Sequence, residues 1–151
     1  MKKGFLAICF IVMALAVNAQ IFDPVKWSYT AKKIGPKIYE LHFTATLAPK
    51  WHIYSQDAGE ETVPTTFAFT ANPLITLDGK VKEVGKMEKV FDKNFNATLK
   101  YYGNKVDFVQ KVKVKVAAPT VVKGTVSYIV CDDSKCLPPK DVAFSIAISG
   151  K

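Results

Sequence analysis

The sequence contains no arginine: all 21 basic residues are lysine, against 13 acids, for a formal net charge of +8. A basic chain invites a nucleic-acid reading. Arginine, however, supplies the commonest specific base contact and the bidentate fork that grips phosphate, and a lysine-only surface has neither. Nucleic acid is therefore discounted as a partner. Also missing are a long helical period, a glycine-rich phosphate loop, an H-E-x-x-H motif and a serine–histidine–acid arrangement, so nucleotide and hydrolase chemistry find no support. With only two histidines, His42 and His52, and no C-x-x-C, the chain does not present four zinc ligands at a recognisable spacing. No metal and no cofactor are expected.

Cysteine is scarce, with three in 151 residues. The first, Cys9, falls in a leader. Lys2 and Lys3 make a positive start, Phe5 to Val17 an apolar stretch too short to span a bilayer, and Val17-Asn18-Ala19 a small-residue cleavage site. Residues 1–19 thus read as a secretory signal peptide, with the mature chain beginning near Gln20. Ile8 before Cys9, far from the cleavage site, argues against a lipid anchor there. Export removes Cys9 and leaves Cys131 and Cys136 as a pair in a compartment where disulfides persist, periplasmic or secreted. No membrane insertion is expected once the signal is removed.

Residues 20–151 fit one domain, without linker, repeat or low-complexity segment. Strand patterning runs through nearly all of it. Trp27, Tyr29 and Ala31 alternate before a Gly35-Pro36 turn; Tyr39, Leu41, Phe43, Ala45 and Leu47 then form the clearest half-buried strand. Glu40, His42, Thr44 and Thr46 face out, and His42 is read as solvated. Further runs occur at Thr65 to Thr70, Leu74 to Leu77 before an Asp78-Gly79 turn, Val81 to Val84, Val106 to Val116 and Val121 to Cys131. Lys111, Lys113 and Lys115 alternating with valines describe the wet face of an antiparallel strand. Many short strands at near-regular spacing predict an all-β, immunoglobulin-like antiparallel β-sandwich.

The cysteines sit in V-S-Y-I-V-C-D-D-S-K-C-L-P-P-K-D-V-A-F, residues 126–144. Val126, Tyr128 and Val130 point one way and Ser127, Ile129 and Cys131 the other. Asp132, Asp133, Ser134 and Lys135 are turn formers, Pro138-Pro139 withholds ladder hydrogen bonds, and Val142, Phe144, Ile146 and Ile148 resume the alternation. The pair is therefore expected at the mouth of a hairpin. A bridge over so short a loop adds about 2 kcal/mol by the chain-entropy estimate, against about 4 for one spanning half a domain. The spacing thus favours redox chemistry over stapling, while a structural hairpin clip stays open. Acidic Asp132 and Asp133 should raise the Cys131 thiol and Lys135 should lower that of Cys136, which points to Cys136 as the attacking sulfur.

With these residues in view, the chain resembles the N-terminal periplasmic domain of the thiol:disulfide interchange protein DsbD, a family of immunoglobulin-like redox modules. The resemblance rests on Trp51-His52-Ile53-Tyr54-Ser55, Tyr101-Tyr102-Gly103 before Val106-Asp107-Phe108, and Tyr128 through Pro139. It implies that Cys131 and Cys136 cycle between disulfide and dithiol, Cys136 forming the mixed disulfide and Cys131 resolving it. It implies a cap loop over the pair, with Tyr101 nearest the cap position, Phe91 or Phe95 as substitutes, and His52 and Tyr54 lining the site. The acidic pair that precedes the cap aromatic in better-known members is here Leu99-Lys100. The partners implied are thioredoxin-fold proteins, such as disulfide isomerases and cytochrome c maturation thioredoxins, and a DsbD-like membrane electron donor. A stand-alone, monomeric module is expected; its enzyme class, if one applies, is protein-disulfide reductase.

Overall fold

The alternating residues of the second apolar run explain how the layers form. In the computed structural model, which describes residues 22–59, 62–92 and 96–149, the side chains of Tyr39, Leu41, Phe43, Ala45 and Leu47 are all buried. They belong to β2 (Ile38–Leu47), flanked by β1 (Val25–Gly35), with β3 (His52–Tyr54), β4 (Thr66–Phe69), β5 (Ile75–Asp92), β6 (Ala97–Val114), β7 (Thr120–Tyr128), β8 (Val130–Cys131) and β9 (Lys140–Ile148) following. All pairings are antiparallel. One sheet runs β1-β2-β6-β3-β8, with β5 on the other side of β6; the second runs β4-β7-β9. The protein is an immunoglobulin-like antiparallel β-sandwich.

Aromatic rings fill the space between the sheets. Phe43 of the larger sheet meets Phe67 and Phe144 of the smaller at ring-centroid distances of 5.0 and 4.7 Å, and Trp27 meets Tyr128 at 5.4 Å. Such tilted pairs add about 0.5–1.5 kcal/mol each beyond the area they bury. Close approach also decides one glycine. A Cβ at Gly124 would lie 2.3 Å from the Ala68 carbonyl oxygen and 2.4 Å from Phe144 Cζ, so β7 passes there only without a side chain.

Three features differ from the sequence reading. Asp78-Gly79 does not end a strand: β5 continues past it through a register shift between Asp78 and Lys82, with Gly79 at φ 76° absorbing the irregularity. The expected strand from Val121 to Cys131 is divided, because the chain leaves the smaller sheet after Tyr128 and joins the larger as β8. The β7–β9 ladder closes at Tyr128 and Lys140, so residues 129–139 arch from one sheet to the other rather than simply capping a hairpin. His42 is not merely solvated: its Nδ1 lies 2.7 Å from Asp107 Oδ2, and Thr44 Oγ1 donates to Asp107 Oδ1 at 3.0 Å. These residues are cross-strand neighbours on the outer face of β2 and β6, where one imidazole nitrogen pairs with the carboxylate.

Candidate functional site

Cys131 and Cys136 are joined by a disulfide with Cα atoms 4.0 Å apart. Hydrogen bonds within the arch hold them there. Asp132 N donates to the Lys135 carbonyl and Leu137 N to the Val130 carbonyl, each at 2.9 Å. Asp132 Oδ1 accepts from Ser134 N, Ser134 Oγ and Lys135 N, each at 2.8 Å. Those bonds, led by the one from the Ser134 amide, hold the Asp132 carboxyl below the usual carboxylate range. Its charge is directed into the turn. The two cysteines differ sharply in exposure: Cys131 is 2% exposed, whereas Cys136 lies in the exposed part of the arch.

Register places the other walls. β3 pairs β8 with His52 opposite Cys131, and pairs β6 with His52 opposite Gly103 and Tyr54 opposite Tyr101. On the far side of β6, Glu88 stands opposite Tyr101 and Val90 opposite Leu99. Because residues two apart share a face, Cys131, His52, Tyr54, Tyr101, Leu99, Glu88 and Val90 all emerge on the outer face of the larger sheet. All of these except Glu88 line a cleft of about 420 Å³ shared with Asp132, Asp133, Ser134, Lys135 and Cys136. Glu88 stands at its edge, its Oε1 3.6 Å from where a Cβ on Gly103 would lie.

The cleft has a small apolar floor of its own. Tyr54, Ala58, Leu99 and Cys131 cluster there with Tyr101 and Ile129 against them, apart from the core between the sheets. The His52 and Tyr101 rings lie 4.2 Å apart by centroid, and Tyr54 stands edge-on to His52 at 5.6 Å. Burial lowers the His52 pKa, with Asp133, Glu88 and Asp132 opposing the shift. Burial, then Glu88 and Asp133, pushes the Tyr101 phenol up. Tyr102, one residue on, points the opposite way into the main core, and its hydroxyl donates to Glu83 Oε2 at 2.7 Å. Glu83 also accepts from Ser55 Oγ at 2.9 Å and Gln56 N at 2.6 Å, while Thr65 Oγ1 donates to the Tyr54 carbonyl at 2.6 Å. The segment leaving β3 is thereby tied from beneath, which fixes Tyr54.

An exposed sulfur bonded to a buried one, in an aromatic cleft, is an arrangement in which a nucleophile can reach only one side of the disulfide. A family model described as thiol:disulfide interchange protein DsbD, N-terminal, matches residues 23–147. The chain belongs to that family. Solved structures agree in fold. The N-terminal periplasmic domain of ScsB from Proteus mirabilis superposes with TM-score 0.60 at 17% identity, covering 82% of this chain and 46% of that one. The Neisseria meningitidis DsbD N-terminal domain in the reduced form gives TM-score 0.56 at 16% identity, covering 85% and 91%. A structure of the complex between the DsbD N-terminal and PilB N-terminal domains from Neisseria meningitidis gives 0.52 at 14% identity, covering 83% and 87%. This chain therefore spans about half of the ScsB chain it resembles. No curated protein matches the sequence.

Of the site residues read from sequence, the structure brings together Cys131, Cys136, His52, Tyr54, Tyr101, Asp132, Asp133 and Lys135. Phe95 lies outside the described residues, as do residues 1–19 and Cys9. Phe91 is exposed and, one position from Val90, projects from the other face of its strand. Tyr101 sits within β6, paired on both sides, rather than in a separate loop. Sequence reasoning missed Val90 and Glu88 and noted Leu99 only as a departure from the family pattern. The signal that finds them is the β5–β6 register. Among the described residues no group of three or more histidine, cysteine or acidic side chains is arranged to hold a metal ion.

Proposed function

We propose that residues 20–151, exported to the periplasm by a cleaved signal peptide, act as a thiol–disulfide exchange domain through Cys131 and Cys136. The observation that carries this reading is the unequal exposure of the bonded pair within an aromatic cleft, in a chain of the DsbD N-terminal family. A donor thiolate attacks Cys136 Sγ, the Cys131–Cys136 bond breaks, and Cys131 leaves as a thiolate. A second donor thiol then displaces Cys136 and leaves the dithiol form. In the onward direction Cys136 thiolate attacks an acceptor disulfide. Cys131 then attacks Cys136 Sγ, restoring the original bond and releasing the acceptor as a dithiol. Two electrons pass in each cycle.

The donor and acceptors proposed are a DsbD-like membrane protein and exported thioredoxin-fold proteins. That a structural relative is solved in complex with another protein's domain supports a protein partner. A second reading, a permanent clip on a protein-binding sandwich, draws on the packing of Cys131 in an apolar cluster. Trapping separates the two. Cys131→Ser should accumulate a mixed disulfide with an exported thioredoxin-fold protein lacking its resolving cysteine, whereas Cys136→Ser should not. Equal trapping would remove the asymmetry, and none by either variant would leave the clip.

A further inference from the structure

Resolution of the mixed disulfide needs a thiolate at the less favourable of the two cysteines. Cys131 is 2% exposed, packed against Tyr54, Ala58 and Leu99 and followed directly by Asp132. Burial in apolar surroundings and a neighbouring carboxylate both favour the neutral thiol. The proton must go to a group in the cleft.

Few groups there qualify. Asp132, Asp133 and Glu88 are carboxylates, whose ordinary proton affinity lies about four units below that of a thiol. Asp132 is in addition committed to the turn amides. Tyr54 and Tyr101 already hold their phenolic protons, and Lys135 is a cation with nothing to accept with. That leaves the imidazole.

We infer that His52 accepts the Cys131 thiol proton during resolution and returns it in the reverse direction, an assignment that rests on the exchange reading above. His52 and Cys131 are directly opposed partners in the antiparallel β3–β8 pair, so their Cβ atoms lie about 4.5–5.5 Å apart on one face. Tyr101 tilted against it at 4.2 Å and Tyr54 edge-on at 5.6 Å hold the ring over that face. Burial keeps the imidazole neutral and able to accept, and Asp133, Glu88 and Asp132 stabilise the imidazolium once it forms.

The step balances as follows. The Cys131 S–H proton passes to a His52 ring nitrogen, and the Cys131 thiolate attacks Cys136 Sγ. The Cys131–Cys136 bond forms, the bond from Cys136 to the partner sulfur breaks, and the partner leaves with the electron pair as a thiolate. That thiolate or water then takes the proton from the imidazolium.

The test uses the reduced mature protein and 5,5′-dithiobis(2-nitrobenzoate), which releases a coloured thiolate at each of two steps. The first release reports attack by exposed Cys136, and the second reports resolution by Cys131. In His52→Phe and His52→Gln the first release should stay within about twofold of wild type, and an unchanged far-ultraviolet circular dichroism spectrum with a cooperative thermal transition shows that the variants are folded. The second should slow by about tenfold or more at neutral pH. The deficit should shrink only as pH rises well above about 8.5, the ordinary thiol value, because burial and Asp132 hold Cys131 neutral beyond it. An unchanged second step and pH profile in both variants would overturn the assignment, as would equal slowing of both steps, which marks a packing role. If the wild type gives no second release, the exchange reading itself fails and the assignment with it.

Discussion

Cys131 and Cys136 share one disulfide, yet only Cys136 is exposed; Cys131 lies beneath it on the apolar floor formed with Tyr54 and Leu99. Once the bond is reduced, that difference should persist, because Cys131 is held by the β3–β8 pairing rather than by the disulfide. A small alkylating reagent should modify Cys136 at least about tenfold faster than Cys131, since reactivity follows thiolate content and access. Peptide mapping after brief alkylation measures the ratio; equal labelling would contradict it.

Reduction should leave the fold standing. The closed loop is short, so the bridge contributes only about 2 kcal/mol by the chain-entropy estimate. The Asp132 turn and the Leu137–Val130 hydrogen bond remain without it. Thermal unfolding of the protein with and without reductant should show a lower but still cooperative transition.

Tyr101→Ala removes a ring that packs against His52 and lines the cleft beside the cysteine pair, but none of the core between the sheets. Reaction of the reduced pair with a small reagent should rise severalfold while stability falls little. The adjacent Tyr102→Phe should do the reverse. It deletes a hydroxyl bonded to the Glu83 carboxylate, at a cost of about 1.5–3 kcal/mol, and leaves reagent access unchanged. Urea unfolding and reagent kinetics on the two variants test this opposition.

The sequence made β2 legible residue by residue because one of its faces is buried and the other wet, which is the condition that writes period-2 alternation. The turn between the cysteines was legible for another reason: Asp132, Asp133, Ser134 and Lys135 are turn formers and Pro138-Pro139 withholds ladder hydrogen bonds, although the expected hairpin mouth is in the structure an arch between two sheets. The β5–β6 arm was not. Along Lys86 to Asp92, Val90 and Phe91 are both exposed on opposite faces, so no buried face imprints a pattern. Asp78-Gly79 and Gly103-Asn104 look like turns in sequence, and in the structure the strands run through both, at a bulge and at a left-handed Asn104 with φ 57°. Glu88 and Val90 therefore became site residues only once register was known. The division of the last strands between two sheets was likewise hidden, since Val126, Tyr128 and Val130 keep one inward alternation across the break.

Stability should depend on pH through His52. Burial lowers its pKa in the folded protein, so the unfolded chain takes up the proton first as pH falls. The contribution is fully present above about pH 6.5 and is lost as pH drops below that value toward the folded pKa. Asp132, whose folded pKa is lowered from a carboxylate value, acts only in a more acidic window. Unfolding free energies measured across pH 5–7 should fall toward acid in wild type, with the slope reduced in His52→Phe.

The reduction potential of the Cys131–Cys136 pair tests the exchange function most directly. Equilibration of the purified mature protein against glutathione or dithiothreitol couples, read by thiol labelling, gives the value. An exchange site should lie between roughly −180 and −270 mV, the span of known thiol–disulfide carriers. A value below about −300 mV would place the bond beyond reach of the thiol pool and mark it as a permanent structural clip.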